Sequence, residues 1–247
     1  MEKKTSSRIL FVFFLAVIIE LVGEALAHYK SSFTLIYLVK PLLMPLLMVY
    51  YYQSIQLKKG QSNAIHRWLL GALFFSFLGD VFLMLTWSGG NLFLFGLASF
   101  LLAHIAYIFV FRSNLNTSVT SIARSKPYSI FPIIVYTVLL ITVLMNYGNE
   151  EFTDMKLPVV IYAMVIMIMV ISAFNRYKRV VKQSFVLVLL GAVLFMLSDS
   201  IIALNKFTSL FHHHPLLPRL LIMATYTIAQ YLIVEGMVIA ANRSSNS

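Results

Sequence analysis

The sequence predicts an all-α fold, a polytopic membrane bundle, and three observations carry that prediction. Apolar side chains make up 60% of the 247 residues and charged side chains only 11%, whereas soluble domains are nearer half apolar and a quarter charged. The apolar residues form eight long runs, each near the ~20 residues that a helix needs to cross a bilayer. The charged residues lie mainly between the runs. We therefore expect one integral membrane domain over residues 1–247, rather than a barrel of short alternating strands.

Each apolar run is assigned one membrane-spanning helix. Basic residues precede the first run, as in a signal peptide, but Glu20 and Glu24 follow in place of a small-residue cleavage site. We therefore predict that the first run is retained as a helix. The predicted spans cover residues 8–28, 32–54, 67–87, 91–112, 128–147, 157–174, 185–205 and 217–241.

The net charge of +10 comes from basic residues distributed between the spans, so it does not indicate a nucleic-acid partner. Lys and Arg are concentrated on one side of the membrane, and the acidic cluster Glu150, Glu151 and Asp154 lies on the other. Because cytoplasmic loops are enriched in Lys and Arg, we predict a multi-pass cell-membrane protein with both termini in the cytoplasm. The basic residues on the predicted cytoplasmic side are Lys3, Lys4, Arg8, Lys58, Lys59, Arg67, Arg112, Arg124, Lys126, Arg176, Lys178, Arg179 and Lys182. Those on the other side are Lys30, Lys156, Lys206 and Arg219.

Two aspartates deep inside predicted spans are the main functional clue. A carboxylate at that depth costs about 2.5–3.5 kcal/mol or more unless it faces protein, water or a partner. Asp80 follows Gly71-Ala72 in the third span. Asp199 follows Gly191-Ala192 at a similar depth in the seventh span, which runs in the same direction. The match indicates two parallel four-helix halves, and we expect the two carboxyls to meet in one sheltered, partly wet cavity.

Further polar residues lie at depths from which they could join the aspartates in a chamber in the middle-to-outer half of the bilayer. These candidates are Glu20, Glu24, Lys40, His104, Tyr107, Tyr226 and Gln230. His104 and Tyr107 are i, i+3 neighbours, and Tyr226 and Gln230 are i, i+4 neighbours, so each pair shares a helix face. The two glutamates would repel each other unless one is protonated or a cation such as Lys40 lies between them. For each candidate, a structural hydrogen bond between helices is the alternative to a functional role.

Several kinds of chemistry find no support in the sequence. The chain has no cysteine, which excludes disulfides, thiolate metal sites and a cysteine nucleophile. The motifs of zinc proteases, serine hydrolases, P-loop NTPases and dinucleotide-binding domains do not occur. The run from His212 to His214 is similar to a metal-binding tract, but three adjacent histidines cannot all reach one ion without an unusual backbone. We expect neither a metal nor a cofactor.

Short motifs in the second to eighth spans, taken in order, resemble the YhhN family. They are Lys40-Pro41, Leu-Gly-Asp at 78–80, Gly96 with the stretch from Ala103 to Tyr107, the stretch from Gly191 to Asp199, and Tyr226 with Gln230. The animal relatives of that family are lysoplasmalogenases. The resemblance implies an eight-span membrane hydrolase that cleaves the vinyl ether bond of lysoplasmalogens. The products would be a fatty aldehyde and glycerophosphoethanolamine or glycerophosphocholine, and Asp80 and Asp199 would be the catalytic pair.

Buried carboxyls suit this reaction. A vinyl ether hydrolyses when an acid protonates the alkene carbon and water captures the resulting oxocarbenium ion, so one carboxyl must be protonated and the other charged, as in glycosidases. Asp80 and Asp199 would share these roles, in an order that the sequence leaves open. Lys40 would bind the phosphate, while His104, Tyr107, Tyr226 and Gln230 would position water and the glycerol oxygens. Glu20 and Glu24 either belong to this site or form a structural pair with Lys40.

Two other classes of function fit the same residues. Eight spans, a repeat and ionisable residues near the midplane also describe a proton-coupled transporter of a small molecule or lipid. A lipid-binding or structural membrane protein would use the aspartates only to hold helices together. The headgroup, the chain length and the oligomeric state are not determined by the sequence.

Overall fold

The computed structural model describes residues 2–55, 63–86, 91–113 and 115–244, with side chains from residue 6 to residue 242 of these ranges apart from 63 and 64. In these ranges every regular element is a helix. The helices are α1 (Glu2–Lys30), α2 (Thr34–Ser54), α3 (Asn63–Met84), α4 (Leu92–Arg112), α5 (Ile122–Ser125), α6 (Phe131–Tyr147), α7 (Glu150–Phe174), α8 (Lys182–Phe207) and α9 (Leu216–Ser244). Eight of the helices in the described ranges, all but the short α5, are long and apolar enough to cross a membrane, as predicted.

The sixth span begins earlier than the sequence predicted. Helix α7 starts at Glu150 rather than near residue 157, so the acidic cluster and Pro158 lie inside the helix. Asn149 caps this start, since its side-chain oxygen accepts a hydrogen bond from the Phe152 backbone nitrogen at 3.0 Å. Glu150 and Glu151 occupy the first turn, where the helix dipole favours negative charge. Hydropathy missed these turns because they are polar.

Several other boundaries also differ from the predicted spans, and helices α1, α3 and α8 each begin three to six residues earlier than predicted. Helix α3 ends at Met84 rather than near residue 87. A single 3₁₀ turn, Pro127–Ile130, precedes α6, so the α-helical part of the fifth span starts three residues later than predicted. Part of the predicted charge pattern depends on Lys58 and Lys59, and the predicted end of the third span is Trp87. These three residues lie outside the described residues.

The packing of the long helices repeats between the two halves of the chain. Helix α3 lies against α4 as α8 lies against α9, and α7 lies against α4 as α2 lies against α9. With α1–α4 as one half and α6–α9 as the other, each of these contacts has a counterpart, as a four-helix repeat expects. Helix α6 is the exception. It packs on α7 and α8 at the edge of the bundle, where Thr137 and Leu144 are its buried residues.

The two ends of the bundle are named here from the orientation that the charge pattern predicts. The outer end holds the connections at residues 31–33, 148–149 and 208–215. At the inner end, the Tyr50 hydroxyl on α2 donates a hydrogen bond to Glu235 on α9. This contact gives Glu235 the partner that the sequence did not reveal.

Arg176 belongs to the inner-end loop by sequence, but its side chain is only 1% exposed. It donates hydrogen bonds to the Phe111 carbonyl oxygen at 3.4 Å and to Ser184 Oγ at 3.1 Å. Phe111 lies in the last turn of α4, so the guanidinium faces the negative end of that helix dipole. Burial lowers the pKa of Arg176 to about 10, which leaves the group charged at neutral pH.

Candidate active site between two buried aspartates

The first aspartate, Asp80 on α3, is 4% exposed and is held from the opposite half of the bundle. The Tyr226 hydroxyl on α9 donates a hydrogen bond of 2.7 Å to Asp80 Oδ2. One turn further along α9, Gln230 Nε2 donates to Ser76 Oγ at 3.0 Å. The Tyr107 hydroxyl in turn donates to Gln230 Oε1. Two neighbouring sets of buried hydrogen bonds therefore connect the helices here: Tyr226 with Asp80 joins α9 to α3, and Tyr107, Gln230 and Ser76 join α4, α9 and α3.

The second aspartate, Asp199 on α8, is 9% exposed and has two partners. The Tyr162 hydroxyl on α7 donates a hydrogen bond to Asp199 Oδ2. His104 Nε2 on α4 lies 3.0 Å from the same carboxyl oxygen and 2.8 Å from the Tyr162 hydroxyl. With Tyr162 donating its one hydrogen to Asp199, His104 donates to the same carboxylate oxygen in the tautomer that carries the proton on Nε2. His104 Nδ1 lies 3.3 Å from Met169 Sδ, and a thioether sulfur is only a weak hydrogen-bond acceptor.

One aromatic ring connects the two aspartate centres. The Phe195 ring lies 4.7 Å from the His104 ring and 5.4 Å from the Tyr226 ring, measured between centroids. It therefore contacts a hydrogen-bonding partner of each aspartate. The charge of Asp199 also acts electrostatically on Asp80. Both predicted carboxyls are thus buried, and Phe195 lies between a hydrogen-bonding partner of each.

The two glutamates of α1 lie above Asp80, and their partner differs from the one expected. Glu24 Oε2 lies 2.9 Å from Arg219 Nε on α9. This contact is an ion pair by distance, although its angle falls outside hydrogen-bond geometry. Lys40, the cation expected to separate the glutamates, instead acts on Glu20 and Asp80 from α2. Arg219 reaches Glu24 because α9 begins at the outer end and Arg219 lies in its first turn.

Glu20 is the least satisfied of the site residues. Its side chain is fully buried, with 0% exposure. Neither of its carboxyl oxygens has a hydrogen-bond partner among the residues that the structure describes. The charges that act on it are Lys40, Glu24, Asp80 and Arg219. A buried polar group without a partner is rare in folded proteins, so it marks a place where a ligand or a proton is expected.

Two pockets share the residue Leu83 of α3, which lies one turn beyond Asp80. An outer pocket of about 500 Å³ is lined by Glu24, Lys40 and Arg219, and also by Leu83. A second pocket of about 400 Å³ lies between α4, α7 and α8, and apart from Asp199 and the Tyr162 hydroxyl its walls are apolar. Leu83 lines this pocket as well. The charged outer pocket and the apolar pocket therefore adjoin at one residue, one turn above Asp80.

A third pocket reaches Asp199 from the opposite side. It has a volume of about 390 Å³ and lies between α6, α7 and α8. Tyr162 and Asp199 line both this pocket and the apolar pocket. The pair therefore stands between two apolar spaces, one facing the centre of the bundle and the other facing α6 at its edge.

Sequence reasoning missed three residues of this region. Tyr162 lies in the middle of the apolar sixth span, where its polar hydroxyl was the available signal. Ser76 gave a similar signal, since it lies one turn before Asp80. Arg219, which lies inside the predicted eighth span, was counted only as a charge on the outer side, and it is in the first turn of α9. In the described part of the chain, no group of three or more His, Cys, Asp or Glu side chains is arranged to hold a metal ion.

Together these features define a class: an eight-span helical membrane protein with two buried carboxyls and a charged pocket at one end. The family model of YhhN matches residues 35–237, and the chain belongs to the YhhN family. The match covers both aspartates and every candidate residue on α2, α4 and α9, whereas Glu20 and Glu24 on α1 precede it. No match was found among the curated proteins or among the solved structures.

Proposed function

We propose that this protein is a membrane hydrolase that cleaves the vinyl ether bond of lysoplasmalogen-type lysophospholipids. The observation that carries the proposal is the unequal pair of buried carboxyls. Asp80 accepts one hydrogen bond, from Tyr226, whereas Asp199 has both Tyr162 and His104 as partners. Acid-catalysed hydrolysis of a vinyl ether needs one protonated and one charged carboxyl, and an unequal environment is how a protein holds two carboxyls in different states.

The hydrogen bonds support a division of roles. Donors stabilise a carboxylate, so Asp199, with two donors, is assigned to the charged form and Asp80 to the acid. The Asp80 proton is transferred to the alkene carbon, and the alkene electron pair forms the new C–H bond. The resulting oxocarbenium ion is stabilised by Asp199 and captured by water, whose released proton returns to the Asp80 carboxylate. As the hemiacetal breaks its bond to the glycerol oxygen, its hydroxyl loses a proton and the glycerol oxygen takes one up, so that an aldehyde and a free alcohol remain.

The pockets support a placement of the lipid. The phosphate would lie in the outer pocket near Lys40, because a cation there suits an anionic group. Leu83 of this pocket is one helical turn from Asp80, a separation of about 5 Å along the axis. A glycerol unit bridges a phosphate and a vinyl ether over a short distance of this order. The fatty chain would then occupy the apolar pocket that adjoins the outer one at Leu83 and ends at Asp199.

The test compares two lipids that differ in one double bond. Purified protein in detergent is incubated with a lysoplasmalogen and with its saturated 1-alkyl analogue, and aldehyde is quantified by mass spectrometry. We expect aldehyde from the vinyl ether only, because a saturated ether cannot be protonated on carbon. If neither lipid released aldehyde, the result would contradict the proposal.

A transporter is the main rival class, since buried carboxyls also serve proton coupling. The same protein reconstituted in proteoliposomes separates the two. A hydrolase releases aldehyde and glycerophospho-headgroup without a proton gradient. Gradient-dependent movement of an intact lipid or solute, with no aldehyde, would assign the site to transport.

A further inference from the structure

A surface groove between α3 and α4 has no part in the proposed reaction. It has a volume of about 690 Å³ and is lined by Arg67, Trp68, Gly71, Phe75 and Ala106. Arg67 lies at the inner end of the bundle. From Arg67 to Phe75 the rise along α3 is about 12 Å, which is most of the hydrocarbon thickness of one leaflet. The groove therefore begins at the inner membrane surface and runs toward the midplane.

Two small residues keep the groove open. A Cβ added at Gly71 would meet no atom within 4 Å, so the surface of α3 faces open space at this position. Ala106 lies opposite on α4 and is 2% exposed. Apart from Arg67, the lining residues are apolar. A groove of this kind suits a hydrocarbon chain, because apolar walls favour apolar contacts.

The inner opening of the groove combines a cation with an aromatic ring. Arg67 and Trp68 are both exposed. The Trp68 ring stacks on the Phe109 ring of α4, with 4.7 Å between centroids, and tryptophan is enriched at the level of lipid headgroups. Among the residues that the structure describes, Arg67 makes no ion pair. Its guanidinium is therefore available to a phosphate at the membrane surface.

The distribution of acidic residues favours a lipid over a second copy of the chain as the occupant. Of nine Asp and Glu residues, three lie on the outer side and five lie inside predicted spans, which leaves Glu2 alone for the inner side. A second copy would bring one basic inner end against another, and like charges repel. An anionic lipid supplies the missing negative charge, since such lipids attract Lys and Arg at the cytoplasmic surface.

We propose that the groove binds an anionic phospholipid of the inner leaflet. Arg67 binds the phosphate, and Trp68 lies beside the glycerol region. One acyl chain lies over Gly71 and Ala106 and extends to Phe75, while the other chain stays in the bilayer. The site is separate from both aspartates and from the outer pocket, so it does not depend on the proposed function.

The experiment uses Trp68 as a reporter of the lipid beside it. The chain has two tryptophans, Trp68 and Trp87, so Trp87→Phe leaves Trp68 alone in the wall of the groove. This protein is reconstituted in phosphatidylcholine vesicles that contain a small fraction of brominated lipid, because bromine quenches tryptophan fluorescence on contact. The brominated lipids are phosphatidylglycerol and phosphatidylcholine with the same chains. We expect quenching to show about tenfold tighter binding of phosphatidylglycerol, the scale of one charge-assisted hydrogen bond.

Variants in the Trp87→Phe background assign the two parts of the lipid. Arg67→Gln is expected to make quenching by the two lipids equal, because it removes the cation that selects the anion. Gly71→Leu is expected to reduce quenching by both lipids, because its side chain fills the space of the acyl chain. Arg124→Gln is the matched control, since it removes an exposed cation at the same end of the bundle, in α5, outside the groove. It should keep the preference.

Equal quenching by the two lipids before any change in the groove would overturn the inference. So would a monodisperse Arg67→Gln protein that keeps the preference, a result that an unfolded Gly71→Leu variant could not obscure. If Arg124→Gln removed the preference as fully as Arg67→Gln, the attraction would belong to the whole basic surface and the groove would not be a site.

Two further measurements separate the lipid from other occupants. Free glycerol phosphate in excess should leave the quenching unchanged, and displacement of the lipid would show an anion site that needs no acyl chain. Size-exclusion chromatography with light scattering should give the same mass for the unaltered protein and for Gly71→Leu. A dimer that Gly71→Leu converts to a monomer would assign the groove to a second copy and overturn the inference.

Discussion

Asp80 and Asp199 occupy matching places in the two halves of the bundle, yet their surroundings differ. Each carboxyl is held by a residue from the last helix of the opposite half: Tyr226 on α9 for Asp80, and His104 on α4 for Asp199. The difference lies in what is added. Asp199 also receives a hydrogen bond from Tyr162 and faces apolar pockets, whereas Asp80 lies below a pocket with two cations. The two halves therefore share a buried carboxyl that is held by a residue of the opposite half. They differ in the other hydrogen bonds and in the pockets around that carboxyl.

This asymmetry has a chemical consequence. A symmetric pair of carboxyls would have no reason to hold one proton on a particular side. Two donors at Asp199 and one at Asp80 provide such a reason, because each hydrogen bond favours the charged form of the group that accepts it. The two halves can then perform different tasks with the same residue type. Substitutions that make the halves more alike, or that remove one of them, test whether the difference matters.

The largest effect is expected from removing the acid. Asp80→Asn keeps the hydrogen bond from Tyr226 but cannot donate a proton to carbon, so kcat for aldehyde formation should fall by about 10³-fold or more, within the range of general acid catalysis. Asp199→Asn should reduce kcat by about 10²–10³-fold, since it removes charge stabilisation of the oxocarbenium ion. Aldehyde release by the purified variants measures both.

The control for these substitutions is Asp154→Asn, which makes the same chemical change at an exposed position in α7. It should leave kcat unchanged. Size-exclusion profiles and thermal unfolding in detergent establish that each variant is folded. A monodisperse Asp80→Asn protein with full activity would remove Asp80 from the mechanism and leave the two halves chemically equivalent.

A smaller loss of activity is expected from removing the Tyr162 hydroxyl, the hydrogen-bond donor to Asp199 that has no counterpart at Asp80. Tyr162→Phe removes the phenol hydrogen bond to Asp199 and should lower kcat by about 10–100-fold, the scale of one hydrogen bond to a charged group. Tyr136→Phe is a matched control, because the Tyr136 hydroxyl donates to Ser200 Oγ on the same helix at 2.9 Å. It should change kcat little. Equal losses in the two variants would mean that both tyrosines act only by holding α8 in place.

The sequence was sufficient for the eight spans. It also named Tyr226 and Asp80, which the structure joins by one hydrogen bond, and Tyr107 and Gln230, which it joins by another. Depth along a helix follows from the rise per residue, so residues at one level can be listed without a structure. Lateral position does not follow in this way. Helices that are apolar on all sides carry no stripe to show which face meets which neighbour. For that reason Tyr162 was missed, and the contact of Arg219 with Glu24 was not predicted.

The smallest effect compares the two glycines that the sequence pairs, Gly71 on α3 and Gly191 on α8. A Cβ at Gly191 would lie 2.8 Å from the Ala229 carbonyl oxygen, whereas a Cβ at Gly71 would meet nothing within 4 Å. Gly191→Ala should therefore push α8 and α9 apart and lower the free energy of unfolding by about 1–3 kcal/mol. Gly71→Ala should be neutral or should stabilise α3 by up to about 1 kcal/mol, the usual gain in a helix interior. Thermal unfolding in detergent measures both.

Gly71 and Gly191 differ in the space around them because they lie at different distances along the helix from their aspartates. Gly191 is one residue closer to Asp199 than Gly71 is to Asp80, and one residue rotates a helix face by about 100°. If the two halves are aligned on Asp80 and Asp199, Gly191 is therefore aligned with Ala72 and not with Gly71. The Ala72 side chain is fully buried. Enlarging Ala72 should be as damaging as enlarging Gly191, and enlarging Gly71 should not. If Gly71→Ala instead destabilised the protein as much as Gly191→Ala, the two halves would be aligned on their glycines, and the correspondence of Asp80 with Asp199 would be lost.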